Sequence, residues 1–266
     1  MVKAVTATSL TTRARSSAPA IFALALSALW APPSHAADPD ILWSIVHDRC
    51  VPEQVRRHTP GPCAAVNIAK GYAIYKDRVG VSQFLLIPTA RISGIEDPVL
   101  LAQRAPTYWQ HAWNARHNVI AKVGRRLDRS YLSLAVNSAF GRSQKQLHIH
   151  IDCVAPWVQS ALAVHATEIG ETWSRFPIPL AGHVYRARRI AALNRPGTDP
   201  FRLAADGIPG ARANMAQESL MVTGATFPDG THGFFVLETQ ADPLKGNRGS
   251  AEELQDHDCV IARRSR

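Results

Sequence analysis

Two imidazoles and a carboxylate occupy alternate positions in Gln144-Lys145-Gln146-Leu147-His148-Ile149-His150-Ile151-Asp152-Cys153-Val154. Side chains alternate across a strand, so Leu147, Ile149, Ile151 and Cys153 should face a core. His148, His150 and Asp152 then stand in a row on the opposite face, at separations fixed by the backbone. A neutral imidazole nitrogen in such a row can attack phosphorus and form a covalent intermediate. The same three groups can ligate a metal, or the row can be a solvated strand face. These residues favour a phosphoryl-transfer nucleophile and leave the other two readings open.

The elements that must hold this strand follow from periodicity and turn signals. Residues 41–50 suggest a short helix, followed by a loop with Pro52, Pro60, Gly61 and Pro62. Residues 72–75 and 83–87 suggest a hairpin whose second strand ends at Pro88. Residues 108–126 have helical character, with Trp109, Ala112, Trp113, Val119 and Ile120 available for an apolar face. Residues 131–136 and 147–154 suggest partner strands across a polar turn that contains Gly141. A helix over 158–172, a late hairpin of 221–227 and 233–238, and a final helix over 251–256 complete the expectation. Locally paired strands with helices between them argue an α+β fold. No Gly-rich loop follows any strand, so a nucleotide-binding parallel sheet is not expected.

The chain has 266 residues and a formal net charge of +9. That surplus suits an anionic partner. No dense Lys/Arg stripe interleaved with aromatic residues is present, which argues against nucleic acid. Lys3, Arg13 and Arg15 precede an uncharged run over residues 18–31, and Ser34-His35-Ala36 follows as a small-x-small pattern. A bilayer span needs roughly 20 apolar residues, more than this run offers. Residues 1–36 therefore read as a signal peptide cleaved after Ala36, with a retained anchor as the alternative. Cys50, Cys63, Cys153 and Cys259 form an even set, which in an exported chain suggests two disulfides with three possible pairings. Cys50 with Cys63 would close a turn-rich loop, and Cys153 with Cys259 would tie the central strand to the C-terminus. No CxxC spacing supports a metal site.

The strand motif resembles the histidine-triad superfamily, whose His-x-His-x-His strand carries apolar residues between the histidines. The resemblance implies that His150, the middle position, attacks phosphorus. Asn137 and Gln144 match that family's Asn and Gln on the preceding strand and turn. Phe84-Leu-Leu-Ile-Pro88-Thr-Ala-Arg91-Ile resembles its apolar strand, with Arg91 in place of a histidine. Asp152 likewise holds the place of the third histidine, where it could orient an imidazole or simply cap the strand end.

A closer resemblance is to the bacterial CDP-diacylglycerol pyrophosphatase family. It is carried by Leu86-Ile-Pro-Thr-Ala-Arg-Ile-Ser-Gly-Ile-Glu96, Ser133-Leu-Ala-Val-Asn137-Ser, Gly141-Arg-Ser-Gln144, Gly182-His183-Val-Tyr-Arg-Ala-Arg-Arg189 and Ser250-Ala-Glu-Glu-Leu-Gln-Asp-His257-Asp-Cys259. It covers the chain from Cys50 to the C-terminus. It implies one histidine-triad-like domain over residues 37–266, an antiparallel sheet with flanking helices and a C-terminal extension. The implied reaction splits CDP-diacylglycerol into CMP and phosphatidate through a cytidylyl-histidine, at a membrane surface in the periplasm or inner membrane, without a cofactor. His150, His148 and Asp152 are the catalytic candidates. Asn137, Gln144, Arg142, Lys145, Arg91 and His183 are the substrate-binding candidates. His257 is matched too, with packing as its simpler reading. A broader nucleotide pyrophosphatase or cytidylyl transferase, and a periplasmic metal-binding protein, are the rival functions.

Overall fold

Ten antiparallel strands form the sheet in a computed structural model that describes residues 38–264 together with Met1 and Ala4. The expected leader over residues 1–36 therefore lies outside the described residues, those two apart. The strands are β1 (Ala65–Asn67), β2 (Tyr72–Lys76), β3 (Phe84–Pro88), β4 (Leu132–Val136), β5 (Ile149–Val154), β6 (Ser174–Arg175), β7 (Arg186–Ile190), β8 (Glu218–Thr226), β9 (His232–Gln240) and β10 (Gln255–Asp256). Their spatial order is β1-β2-β3-β5-β4-β8-β9-β7-β6, with β10 pairing on β5. The α+β architecture is the one the sequence suggests.

One face of the sheet packs on helices α3 (Tyr108–Ala115), α4 (His117–Val123) and α6 (Pro200–Gly207). Ile149, Ile151 and Cys153 point into this core beside Trp109, Leu134 and Val222. Burying each isoleucine there contributes about 1.5–3 kcal/mol. The second face is covered in two separate places. Leu42 and Val46 pack on Ala73, Leu85 and Ile87. Helix α5 (Pro156–Val164) brings Val158 and Leu162 over Ala135, Met221 and Leu237. His150 pairs with Leu85 on one side and Ala135 on the other, so it sits at the seam between these two clusters. The reading of the row as a solvated strand face is overturned by this double cover: His148, His150 and Asp152 are 8%, 5% and 0% exposed.

The helix expected over 41–50 runs further. It starts as α1 (Ile41–Ser44), widens into a π turn (Ile45–Cys50) and resumes as α2 (Val51–Arg57). Pro52 has no N–H to give to the preceding turn, and a π turn just before it accommodates that loss. Helix 108–126 divides at Arg116 and ends at Gly124, whose φ of 76° makes a left-handed cap. The helix expected over 158–172 stops at Val164, and Ile169 turns back into the core.

The helix expected over 251–256 is replaced by a 3-10 turn (Ala251–Leu254) and strand β10. Tertiary bonds win there. Ala251 N–H goes to Ser219 Oγ, Glu252 N–H goes to Asn137 Oδ1, and Gln255 and Asp256 pair with Val154 and Cys153. Both disulfides form, Cys50–Cys63 and Cys153–Cys259, and the second closes a separation of 106 residues. The terminal helix α7 (Ile261–Arg264) follows it. Among the described residues, no helix is long and apolar enough to cross a membrane.

Candidate active site

His148 and His150 open onto a cavity of about 700 Å³ at the seam between the two clusters. Asn137, Arg142, Gln144 and Glu252 share its wall. Ile41, Arg49, Arg78 and Val79 line it toward solvent, and Ile41 and Val79 are 41% and 56% exposed.

The two rings meet edge to face, with centroids 4.7 Å apart. His148 Nδ1–H donates to the carbonyl of Gln146 at 2.8 Å. That carbonyl is held in place because the Gln146 amide donates to Pro88 O and Ala90 O at 3.2 and 2.9 Å. His150 Nδ1 faces Gln83 Nε2 at 2.8 Å and Glu252 Oε1 at 3.2 Å. Its Nε2 is buried and has no hydrogen-bond partner among the described residues. Burial lowers the pKa of both rings, and takes His150 down to about 4. Both are therefore neutral near pH 7.

Glu252 is fixed from several sides. Asn137 Nδ2 donates to Oε2 at 3.0 Å and Gln83 Nε2 donates to Oε1 at 3.0 Å. His257 Nε2 lies 3.4 Å from Oε1. Burial alone would raise the pKa of this carboxyl, but facing His150, the two amides and His257 bring it down to about 2. It is a carboxylate at neutral pH.

Asp152 serves the same region from behind. Its Oδ1 accepts from Ser82 Oγ at 2.7 Å and from Cys153 N–H at 2.9 Å. Its Oδ2 accepts from His257 Nδ1 at 2.8 Å. The third member of the strand row thus orients an imidazole, that of His257, and does not converge with His148 and His150 on one point. Among the described residues no group of three or more His, Cys, Asp or Glu is placed to hold a metal ion.

The other candidates divide. Asn137, Arg142 and Gln144 line the cavity, yet each is already engaged. Arg142 makes a bidentate pair with Glu96 at 2.7 and 2.6 Å. Gln144 accepts from Leu42 N–H at 3.3 Å and donates to Asp38 O at 3.0 Å, so it satisfies an unpaired N–H in the first turn of α1. Lys145 is exposed; its N–H binds Pro39 O. Arg91 pairs with Asp40 and lies 5.2 Å over the Trp43 ring, outside the cavity lining. His183 sits in a separate depression with Arg175, Arg186 and Lys245, 3.6 Å from Glu253.

Gln83, Gln146 and Glu252 are site residues that the motif reading did not single out. Gln146 stood inside the motif itself, and its odds could have been raised by noting that it precedes His148 by two.

A buried imidazole whose Nδ1 faces an ionised carboxylate and whose Nε2 has no partner, on a ring lining a cavity of about 700 Å³, suits the class of hydrolases that act on phosphoric anhydrides. The profile of the CDP-diacylglycerol pyrophosphatase family matches residues 37–263, and the chain belongs to that family. It is 46% identical over 224 residues to the CDP-diacylglycerol pyrophosphatase of Yersinia pestis, covering 84% of each chain.

Proposed function

We propose that the protein hydrolyses CDP-diacylglycerol to CMP and phosphatidate, with His150 as the nucleophile. The observation that carries this reading is His150 Nε2, buried and without a partner, on a ring lining a cavity of about 700 Å³. Nε2 attacks the CMP-side phosphorus, the N–P bond forms, and the bridging P–O bond breaks. Phosphatidate leaves with that electron pair. Water then attacks phosphorus, the N–P bond breaks, CMP departs, and Nε2 recovers its lone pair. Division into two displacements is what a covalent nucleophile offers.

His148 Nδ1–H is committed to Gln146, so its Nε2 carries a lone pair in the neutral ring. An arriving pyrophosphate favours protonation there, and the ring then donates to a phosphate oxygen. Arg142 adds positive charge at the wall, moderated by Glu96. Asn137 and Gln144 shape the wall through the bonds described above.

The cavity matches a drug-sized ligand, which is the scale of the nucleotide and pyrophosphate. Two acyl chains exceed it. They leave past Ile41 and Val79, where Arg49 and Arg78 suit anionic headgroups, so the substrate is taken from a membrane surface. Two disulfides fit an oxidising compartment. With the leader-like residues 1–36, they support a location in the periplasm or at the inner membrane.

The test compares wild type with His150→Ala on CDP-diacylglycerol in detergent micelles. CMP release should fall at least about a thousandfold in the variant, and a cytidylylated His150 peptide should be trapped from wild type. Comparable release by the variant removes His150 from this role, and an adduct on His148 transfers it there. Release should also be insensitive to chelators, and products with added alcohols would reveal cytidylyl transfer.

A further inference from the structure

Attack by a neutral imidazole needs an unprotonated Nε2, so its one ring proton must sit on Nδ1. Two groups compete at Nδ1 of His150. Gln83 Nε2, at 2.8 Å, is a donor, and it favours the tautomer protonated on Nε2, which cannot attack. Glu252 Oε1, at 3.2 Å, is an acceptor and favours the reactive tautomer. The contest is unequal. A hydrogen bond to an ionised acceptor is about twice as strong as a neutral one, and Gln83 already gives one of its two amide hydrogens to Glu252. Turning the Gln83 amide over would set its oxygen against Glu252 Oε1, so that escape is closed.

We propose that Glu252 is a positioning residue that holds the His150 ring proton on Nδ1 and balances the charge of the ring during nucleotidyl transfer. When Nε2 gives its lone pair to phosphorus and phosphatidate leaves, the ring keeps its Nδ1 proton and becomes positive, facing Glu252 Oε1. When water displaces the ring, the N–P electrons return to Nε2, the ring is neutral again, and the water proton passes to solvent. Asn137 holds Glu252 by two bonds, Nδ2 to Oε2 and Glu252 N–H to Oδ1 at 3.1 Å. His257, itself backed by Asp152, approaches Oε1 from a further side.

This inference rests on His150 being the nucleophile, and the experiment separates the two. Full-length wild type, Glu252→Gln, Glu252→Asp and His150→Ala are assayed on micellar CDP-diacylglycerol, and 1H–15N spectra report the histidine ring tautomers. Glu252→Gln preserves shape and the Asn137 contact. It should lower kcat by roughly 10²–10⁴-fold with little change in KM, and should move the His150 proton to Nε2. Glu252→Asp should recover part of kcat and the Nδ1–H signal. A Glu252→Gln variant with near wild-type kcat, or with His150 still protonated on Nδ1, overturns the proposal while His150→Ala remains inactive. Turnover surviving in His150→Ala overturns the nucleophile and this inference together.

Discussion

Asp152 accepts the Nδ1–H of His257 at 2.8 Å, so the third residue of the strand row faces a C-terminal imidazole and not the cavity. The contact closes a chain of polar groups, Asp152–His257–Glu252–His150, behind the cavity. The Asp152 bond raises the pKa of His257 above its usual 6.5, against the opposing effect of burial.

A folded-state pKa raised above the unfolded one contributes stability that is complete below pH 6.5 and is lost as pH rises through the raised value. Thermal melts of wild type and His257→Gln should therefore differ most at pH 6 and converge toward alkaline pH. A constant difference across that range refutes the ion pair. Asp152→Ala should cost about 1–3 kcal/mol, because it leaves the buried Ser82 hydroxyl and Cys153 N–H without their acceptor and the half-buried His257 without its partner.

The acid limb of kcat/KM reports a base of the free enzyme. Burial first, then the proximity of His148 and His257, outweigh Glu252 and Asp77 and take His150 down to about 4. The His150 ring remains unprotonated over most of the acidic range. The acid limb should therefore have its midpoint nearer pH 4 than 6.5, and a midpoint above 6 would assign it to another group.

Gly141 is dictated by space. A Cβ there would lie 2.6 Å from Gly249 O and 3.0 Å from Arg248 O, both backbone atoms. The turn it belongs to presents Arg142 and Gln144 to the cavity. Gly141→Ala should cost about 1–3 kcal/mol through overpacking and should reduce turnover more than Gly170→Ala, whose Cβ meets open space. Equal effects of the two substitutions, by melting and CMP release, would count against this packing.

Glu218 and Glu238 are both fully buried under Arg186, which donates to Glu238 at 2.9 Å. Burial, followed by the neighbouring Glu238, pushes Glu218 up to about 9 from 4.5. The folded state then holds a proton that the unfolded chain releases, so this group's contribution is lost as pH rises through about 9. Glu218→Gln should flatten the fall in melting temperature between pH 5 and 9; an unchanged slope would show that Glu218 ionises freely.

The strand row was legible because period-two alternation is local: Ile149 and Ile151 betray the core, and the histidines must then face the other way. The hairpins and the sheet class were legible for the same reason. Glu252 was not, although the segment around it was visible as a resemblance. Its partners Asn137 and Gln83 lie 115 and 169 positions away, and no spacing rule spans such distances. The helix expected over 251–256 failed on the same ground, since Asn137 and Ser219 take backbone donors that a helix would have used. Arg91 and Lys145 carried charges of the right sign, but Arg91 is turned to Asp40, and Lys145 lies outside the cavity lining.

Cys153 adjoins Asp152, and Cys259 follows His257 by two, so the bridge between them ties together the same two segments that the aspartate–histidine contact joins. Without that bond, the segment carrying Glu252 and His257 is held by strand β10, two residues long, by its polar contacts and by the burial of Ala251 and Leu254. Oxidation of this one pair of thiols therefore sets the spacing of two segments 106 residues apart in sequence, and with it the place from which Glu252 reaches the cavity wall.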